Sequence, residues 1–167
     1  MTPLALFYSY AHEDEALRDQ LEKHLHQLHR QGLISEWHDR KLLPGTTWAH
    51  EIDMHLETAS IILLLVSPDF LASDYCYDIE MQRALERHRG GEAHVIPIIL
   101  RDCDWRHTPL KDLQCLPDDA KPVTLWKDPD KVFQTIAQGL RRVRVGRARR
   151  KSRSRPQVPI ISSSTPM

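Results

Sequence analysis

Three polar segments carry the side chains best suited to chemistry, and each begins where an apolar run stops. Residues 4–8 lead into Ser9-Tyr10. Residues 33–37 lead into Asp39-Arg40-Lys41-Leu42-Leu43-Pro44-Gly45, with Trp48 just beyond. Residues 61–66 lead into a stretch that opens at Ser67 and passes Tyr75 and Cys76 before reaching Glu80. A lone glutamate on a helix is ordinarily a solvated charge, and spacing alone does not set Glu80 apart from one. Cys76 could serve as a nucleophile only with a base beside it, and no such partner is evident. His24, His26 and His29 mostly fall off the leucine stripe of their helix, without a partner set for a metal. Three cysteines (Cys76, Cys103, Cys115) at non-metal spacing suggest neither a zinc site nor a disulfide framework. No GxGxxG or GxxxxGK[ST] phosphate loop is present, which argues against a dinucleotide dehydrogenase or a P-loop NTPase.

The elements that must position these groups follow from apolar periodicity. Residues 4–8 read as a strand, and residues 14–31 as an amphipathic helix with Leu17, Leu21, Leu25 and Leu28 at three- and four-residue steps, stopped by Gly32. Residues 33–37 form a second strand. A helix capped by Thr46 or Thr47 follows, with Ile52, Leu56 and Ala59 as its stripe. The unbroken apolar run 61–66 marks a strand covered on both faces. Ser73 or Asp74 caps a helix to about His88, which Gly90-Gly91 breaks. Residues 95–100 form a fourth strand, and Pro97 within it favours an edge position or a local irregularity. After a long polar connection, residues 122–125 read as a fifth strand and 130–143 as a last helix. Strands alternating with helices on short loops predict a doubly wound, five-stranded parallel sheet with helices on both faces, an α/β fold.

Charge divides the chain. Of 23 basic residues, nine (Arg141, Arg142, Arg144, Arg147, Arg149, Arg150, Lys151, Arg153, Arg155) fall in one short stretch without an acid, leaving 14 bases against 23 acids before it, a formal charge of −9. The expected organisation is one domain over 1–145 and a basic, Ser/Pro-rich disordered tail over 146–167. That tail could hold nucleic acid through phosphate contacts, attach to an acidic neighbour or simply aid solubility. It lacks the interleaved aromatics that stack on bases. No apolar run is long enough to span a bilayer and no signal pattern opens the chain, so a soluble, cytoplasmic protein with no membrane partner is expected.

Taken together and in order, the three polar segments resemble the TIR (Toll/interleukin-1 receptor) domain, in its bacterial NAD+-cleaving form, over roughly residues 4–143. Phe7-Tyr8-Ser9-Tyr10-Ala11-His12-Glu13-Asp14 is similar to the family's first box, Asp39 to Trp48 to its BB loop (Asp39, Arg40, Pro44 and Gly45 above all), and Ser67 to Glu80 to the strand end and helix that carry its catalytic glutamate. The third box is only loosely matched, at Phe133. The resemblance implies a flavodoxin-like fold, agreeing with the order read from periodicity.

It also implies an activity, cleavage of the nicotinamide–ribose bond of NAD+, with NAD+ as substrate and no cofactor or metal. That bond breaks through an oxocarbenium-like cation while nicotinamide leaves neutral, so a single carboxylate near the ribose can suffice where ordinary glycosidases use two. Glu80 takes this role by resemblance, with Ser9, Tyr10, Trp48, Ser67, Tyr75 and Cys76 as substrate contacts. Nicotinamide and either ADP-ribose or a cyclic isomer are the implied products. Self-association through TIR–TIR contacts is the implied switch of an immune or signalling effector, and an upstream sensor protein or domain is a candidate partner. The alternative is a non-enzymatic TIR adaptor that recruits other TIR domains through the same BB-loop surface. Adaptor-type members often lack the glutamate that this chain keeps.

Overall fold

The computed structural model describes residues 2–36 and 54–153, with side chains through residue 143. Among the described residues four parallel strands form the sheet: β1 (Leu4–Ser9), β2 (Ile34–Glu36), β3 (Ile61–Val66) and β4 (His94–Ile99), in the order β2-β1-β3-β4. In β3 the alternation of side chains sorts an unbroken apolar run to two sides. Ile61, Leu63 and Leu65 enter one core and Ile62, Leu64 and Val66 the other, all of them buried.

Helices cover both faces. On one lie α1 (Glu15–Arg30) and α4 (Pro129–Arg153), contributing Leu21, Leu25 and Leu28 from the first and Val132, Phe133, Ile136 and Leu140 from the second. On the other lie the helical turns at 54–58, the short α2 (Pro68–Ala72), a π-helical segment Tyr75–Met81, and α3 (Gln82–Arg89), burying Leu56, Phe70, Met81, Ala84 and Leu85. Arg83 holds both carboxylate oxygens of Glu57 through the Nε and Nη2 edge of its guanidinium, Nη2 to Oε2 at 2.6 Å. The buried Arg87 donates to the carbonyls of Leu56 (2.6 Å) and Ala59 (2.7 Å), closing the carbonyl end of the 54–58 turns.

The fifth expected strand does not form. Residues 122–125 make a 3-10 turn, Val123–Leu125, that touches the sheet through one bond, Thr124 N–H to Leu100 C=O at 3.1 Å. The edge of β4 is met instead by Leu116, which donates to the Pro97 carbonyl and accepts from Ile99 N–H, both at 2.9 Å. Pro117 and Pro122 supply no N–H on either side of this passage, so a ladder cannot propagate along it. Pro97 is consistent with β4 lying at the sheet edge, as its missing donor predicted.

Helix α1 must descend from the carboxyl ends of the strands, because it joins the parallel pair β1 and β2. Helix α4 runs the same way beside it: His24 meets Asp130 and Phe133 near one end, and Arg141 Nη1 donates to Gln31 Oε1 at 2.8 Å near the other. Gly139 lets α4 pass close to Leu116, since a Cβ there would lie 3.1 Å from the leucine Cδ1. Helix α4 continues to Arg153, beyond the boundary expected at 145. Gly146 disfavours the helix locally, but residues 147–151, Arg-Ala-Arg-Arg-Lys, are all good helix formers and favour its continuation beyond that point.

Candidate active site

The carboxyl ends of β1, β3 and β4 meet at one rim, and the strand order makes the gap between β1 and β3 the switch point, where open α/β sheets hold ligands. Two structures stand there: a buried charged network beneath, and the π-helical segment that carries Glu80.

The network starts at Asp14, 1% exposed just before α1. It accepts a hydrogen bond from the Ser67 hydroxyl at the end of β3 and one from Arg101 Nε (3.0 Å) after β4. Arg101 also donates to Asp69 in the first turn of α2. Burial works against the Arg101 charge, but the hydrogen bonds to Asp69 and Asp14 outweigh it and hold the guanidinium above its ordinary value. Three strand ends are thereby tied to one another. Ser67 has no exposed surface: its proton goes to Asp14, and its oxygen accepts from Phe70 N–H at 3.1 Å, capping α2.

The second structure begins when Ser73 accepts from Cys76 N–H at 3.1 Å. The chain then widens to the π form over Tyr75–Met81, a geometry that recurs at functional sites. On this segment Cys76, Glu80 and Met81 are buried, with Glu80 only 5% exposed. Cys76 Sγ contacts the Tyr10 carbonyl at 3.4 Å, fastening the segment to the end of β1. Burial pushes the Cys76 thiol up to about 12; a hydrogen bond from Ser73 opposes this, and the charge and hydrogen bond of Glu80 add to it. Cys76 is therefore a neutral thiol beside a carboxylate and no nucleophile near neutral pH.

The structure brings Glu80, Cys76 and the Tyr10 backbone together and half-buries Tyr75 beside them in the same core. Ser9 is fully buried, and its hydroxyl has no hydrogen-bond partner among the described residues. The Tyr10 ring turns to the other face, packing with the α1 core beneath the Arg18 guanidinium, 5.6 Å from the ring centroid. Trp48, Asp39, Arg40, Pro44 and Gly45 lie outside the described residues.

The TIR domain profile TIR_2 matches residues 6–141. The chain belongs to the TIR domain family. Among solved structures it resembles the TIR domain of the Toll-related receptor TRR-2 from Hydra magnipapillata, with 25% identity, a TM-score of 0.52, and coverage of 89% of this chain and 97% of that one. It is also 54% identical over 162 residues to a Sinorhizobium fredii (strain NBRC 101917 / NGR234) protein named "Uncharacterized protein y4lF". That match takes in 97% of this chain and 50% of the relative, so the chain spans about half the relative's length.

Within this TIR domain, Asp14 stands in the sequence only as the last residue of the first box, with no role of its own, and Arg101 falls outside every motif. Asp14 reads as the acidic start of a helix. Arg101 directly follows the apolar run 95–100, the same kind of position that singled out Ser9 and Ser67, and that was the available signal. Among the described residues no group of His, Cys, Asp and Glu is arranged to hold a metal ion, and no helix is long and apolar enough to cross a membrane.

Proposed function

We propose that this TIR domain cleaves NAD+ at the nicotinamide–ribosyl bond, with Glu80 as the catalytic carboxylate. The observation that carries the reading is the placement of Glu80: nearly buried, on a π-helical segment fastened to the end of β1, at the rim beside the switch point. Near that low-dielectric wall a carboxylate interacts strongly with positive charge developing on a ribose. The C1′–N bond breaks with its electron pair passing to the pyridinium nitrogen, so nicotinamide departs neutral and the cation stays on the ribose. Glu80 holds the ribose hydroxyls and stabilises that cation. Water, or a nucleophilic atom of the same nucleotide, then captures it, giving ADP-ribose with release of a proton, or a cyclic isomer. Cys76 stays protonated beside Glu80 and adds no second negative charge. Self-association is the proposed switch, and an immune or signalling effector role the proposed setting.

The test is to concentrate or cluster the full chain, add NAD+, and follow nicotinamide by chromatography for the wild type and Glu80→Ala. Release that vanishes in the variant is the expected result. No release from clustered, demonstrably folded wild type would move the assignment to an adaptor that recruits other TIR domains.

A further inference from the structure

Past its buried stretch, α4 becomes a different kind of helix. Arg141 meets Gln31, the residue just after α1 ends, and α4 continues alongside and past that end to Arg153. Twelve further residues at 1.5 Å each carry it about 18 Å beyond α1. Between 141 and 153 stand Arg141, Arg142, Arg144, Arg147, Arg149, Arg150, Lys151 and Arg153, with no acid.

The register of these residues says what they suit. At 3.6 residues per turn, the eight fall two to each quadrant of the circumference: Arg141 and Arg149, Arg142 and Arg153, Arg150 and Arg147, Lys151 and Arg144. Of the apolar residues, Val145 and the small Ala148 share a side, whereas Val143 lies on the opposite one, so no broad apolar stripe forms. A helix that lies on a membrane needs an apolar face to sink into the acyl boundary, and this extension has none. An acidic protein surface offers negative charge from one side, leaving half of such a helix unmatched. A duplex groove offers phosphates along both walls, and the major groove is wide enough to admit a helix.

We infer that the basic extension of α4 binds double-stranded nucleic acid by entering its groove and contacting phosphates on both sides, without reading sequence. Over 141–153 it carries no Asn, Gln, Asp or Glu to pair with adenine or cytosine and no aromatic to stack on an unpaired base, and cations spread two to each quadrant suit the phosphates that every sequence offers rather than the guanine edges that arginine can also contact. The acidic body, −9 before Arg141, is repelled by the phosphates and confines contact to the extension. The inference is independent of the NAD+ reading.

The test uses the full chain and a fluorescently labelled DNA duplex of arbitrary sequence, with binding followed by anisotropy across a salt series. If about half of the eight cations displace counterions, log K falls against log salt with a slope of about −4, and affinity drops roughly two-hundred-fold between 50 and 200 mM salt. Replacing Arg147, Arg149, Arg150 and Arg153 together by Gln keeps helix propensity, and by removing half of the cations is expected to flatten the slope by about 2 and weaken binding at 50 mM salt about a hundred-fold or more. Circular dichroism checks that the variant keeps its fold. No binding at low salt, unchanged binding by the folded variant, or equal affinity for a single strand of the same length overturns the proposal. So does displacement of the duplex by phosphatidylserine vesicles or polyglutamate at equal charge, which would assign the extension to a membrane or an acidic protein.

Discussion

Replacing Arg101 by Met isolates the value of the network beneath the rim. In the wild type, Asp14 is 1% exposed and its charge is met by Arg101 Nε at 3.0 Å and by the Ser67 hydroxyl. Methionine leaves the carboxylate buried with the hydroxyl alone. Breaking a buried pair costs about 3–5 kcal/mol. Arg101 itself is one-third exposed and its contact with Asp69 is at the surface, where a pair is worth at most about 1 kcal/mol, so the low end applies. The expected loss is about 3 kcal/mol, a fall of about 6–12 °C in Tm for a chain of this size. Urea and thermal unfolding at neutral pH, followed by far-UV circular dichroism, measure it. The partner variant Asp14→Asn removes the stranded charge, so the double variant should cost at least 1 kcal/mol less than the two single losses together. Additivity within about 0.5 kcal/mol, or a loss below 1 kcal/mol for Arg101→Met, would refute the claim that these residues act as a unit.

Three further outcomes follow from the same geometry. Cys76 has its thiol raised from 9.0 to about 12, chiefly by burial, so the folded state holds that proton more tightly than the unfolded state. Its contribution to stability is complete below pH 9 and is lost as pH rises toward 12; comparing alkaline unfolding of the wild type and Cys76→Ala checks the sign, and at pH 8 iodoacetamide should label Cys76 far more slowly in folded than in urea-unfolded protein. Leu63→Ala, in the centre of β3 with no exposed surface, should cost about 3–4 kcal/mol in urea unfolding through the cavity it leaves. Glu80→Gln keeps the volume but removes the charge, so nicotinamide release should fall at least a hundred-fold while Tm changes little or rises, separating a catalytic from a structural carboxylate.

The parts of the fold that read from sequence are those where burial repeats locally. The run 61–66 is β3 itself, and the leucine steps of 14–31 match α1 to within a residue at each end, because one continuous apolar pattern decides each. Residues 122–125 share the apolar, β-prone look of a strand, but a strand needs a partner that accepts its register, and the prolines around Leu116 and Val123 deny it one. The widened turn over Tyr75–Met81 leaves no mark in the residue types, since it is fixed by the Ser73 cap and by Cys76 reaching Tyr10. Glu80 stands apart from other glutamates in the sequence only through the surrounding motif. The bond between Asp14 and Arg101 joins residues far apart in the chain, and neither type nor spacing announces such a pair.

The shared downward course of α1 and α4 has a spatial consequence. The rim with Glu80 lies where the strands end, whereas α4 leaves the domain at the opposite pole, beside Gln31. A long polyanion gripped by the extension therefore runs beneath the sheet and leaves the mouth of the crevice open. Several copies threaded on one duplex would stand side by side with their rims turned outward, and the duplex would act as a rail, replacing bulk concentration with the spacing of its occupants as the quantity that governs encounter.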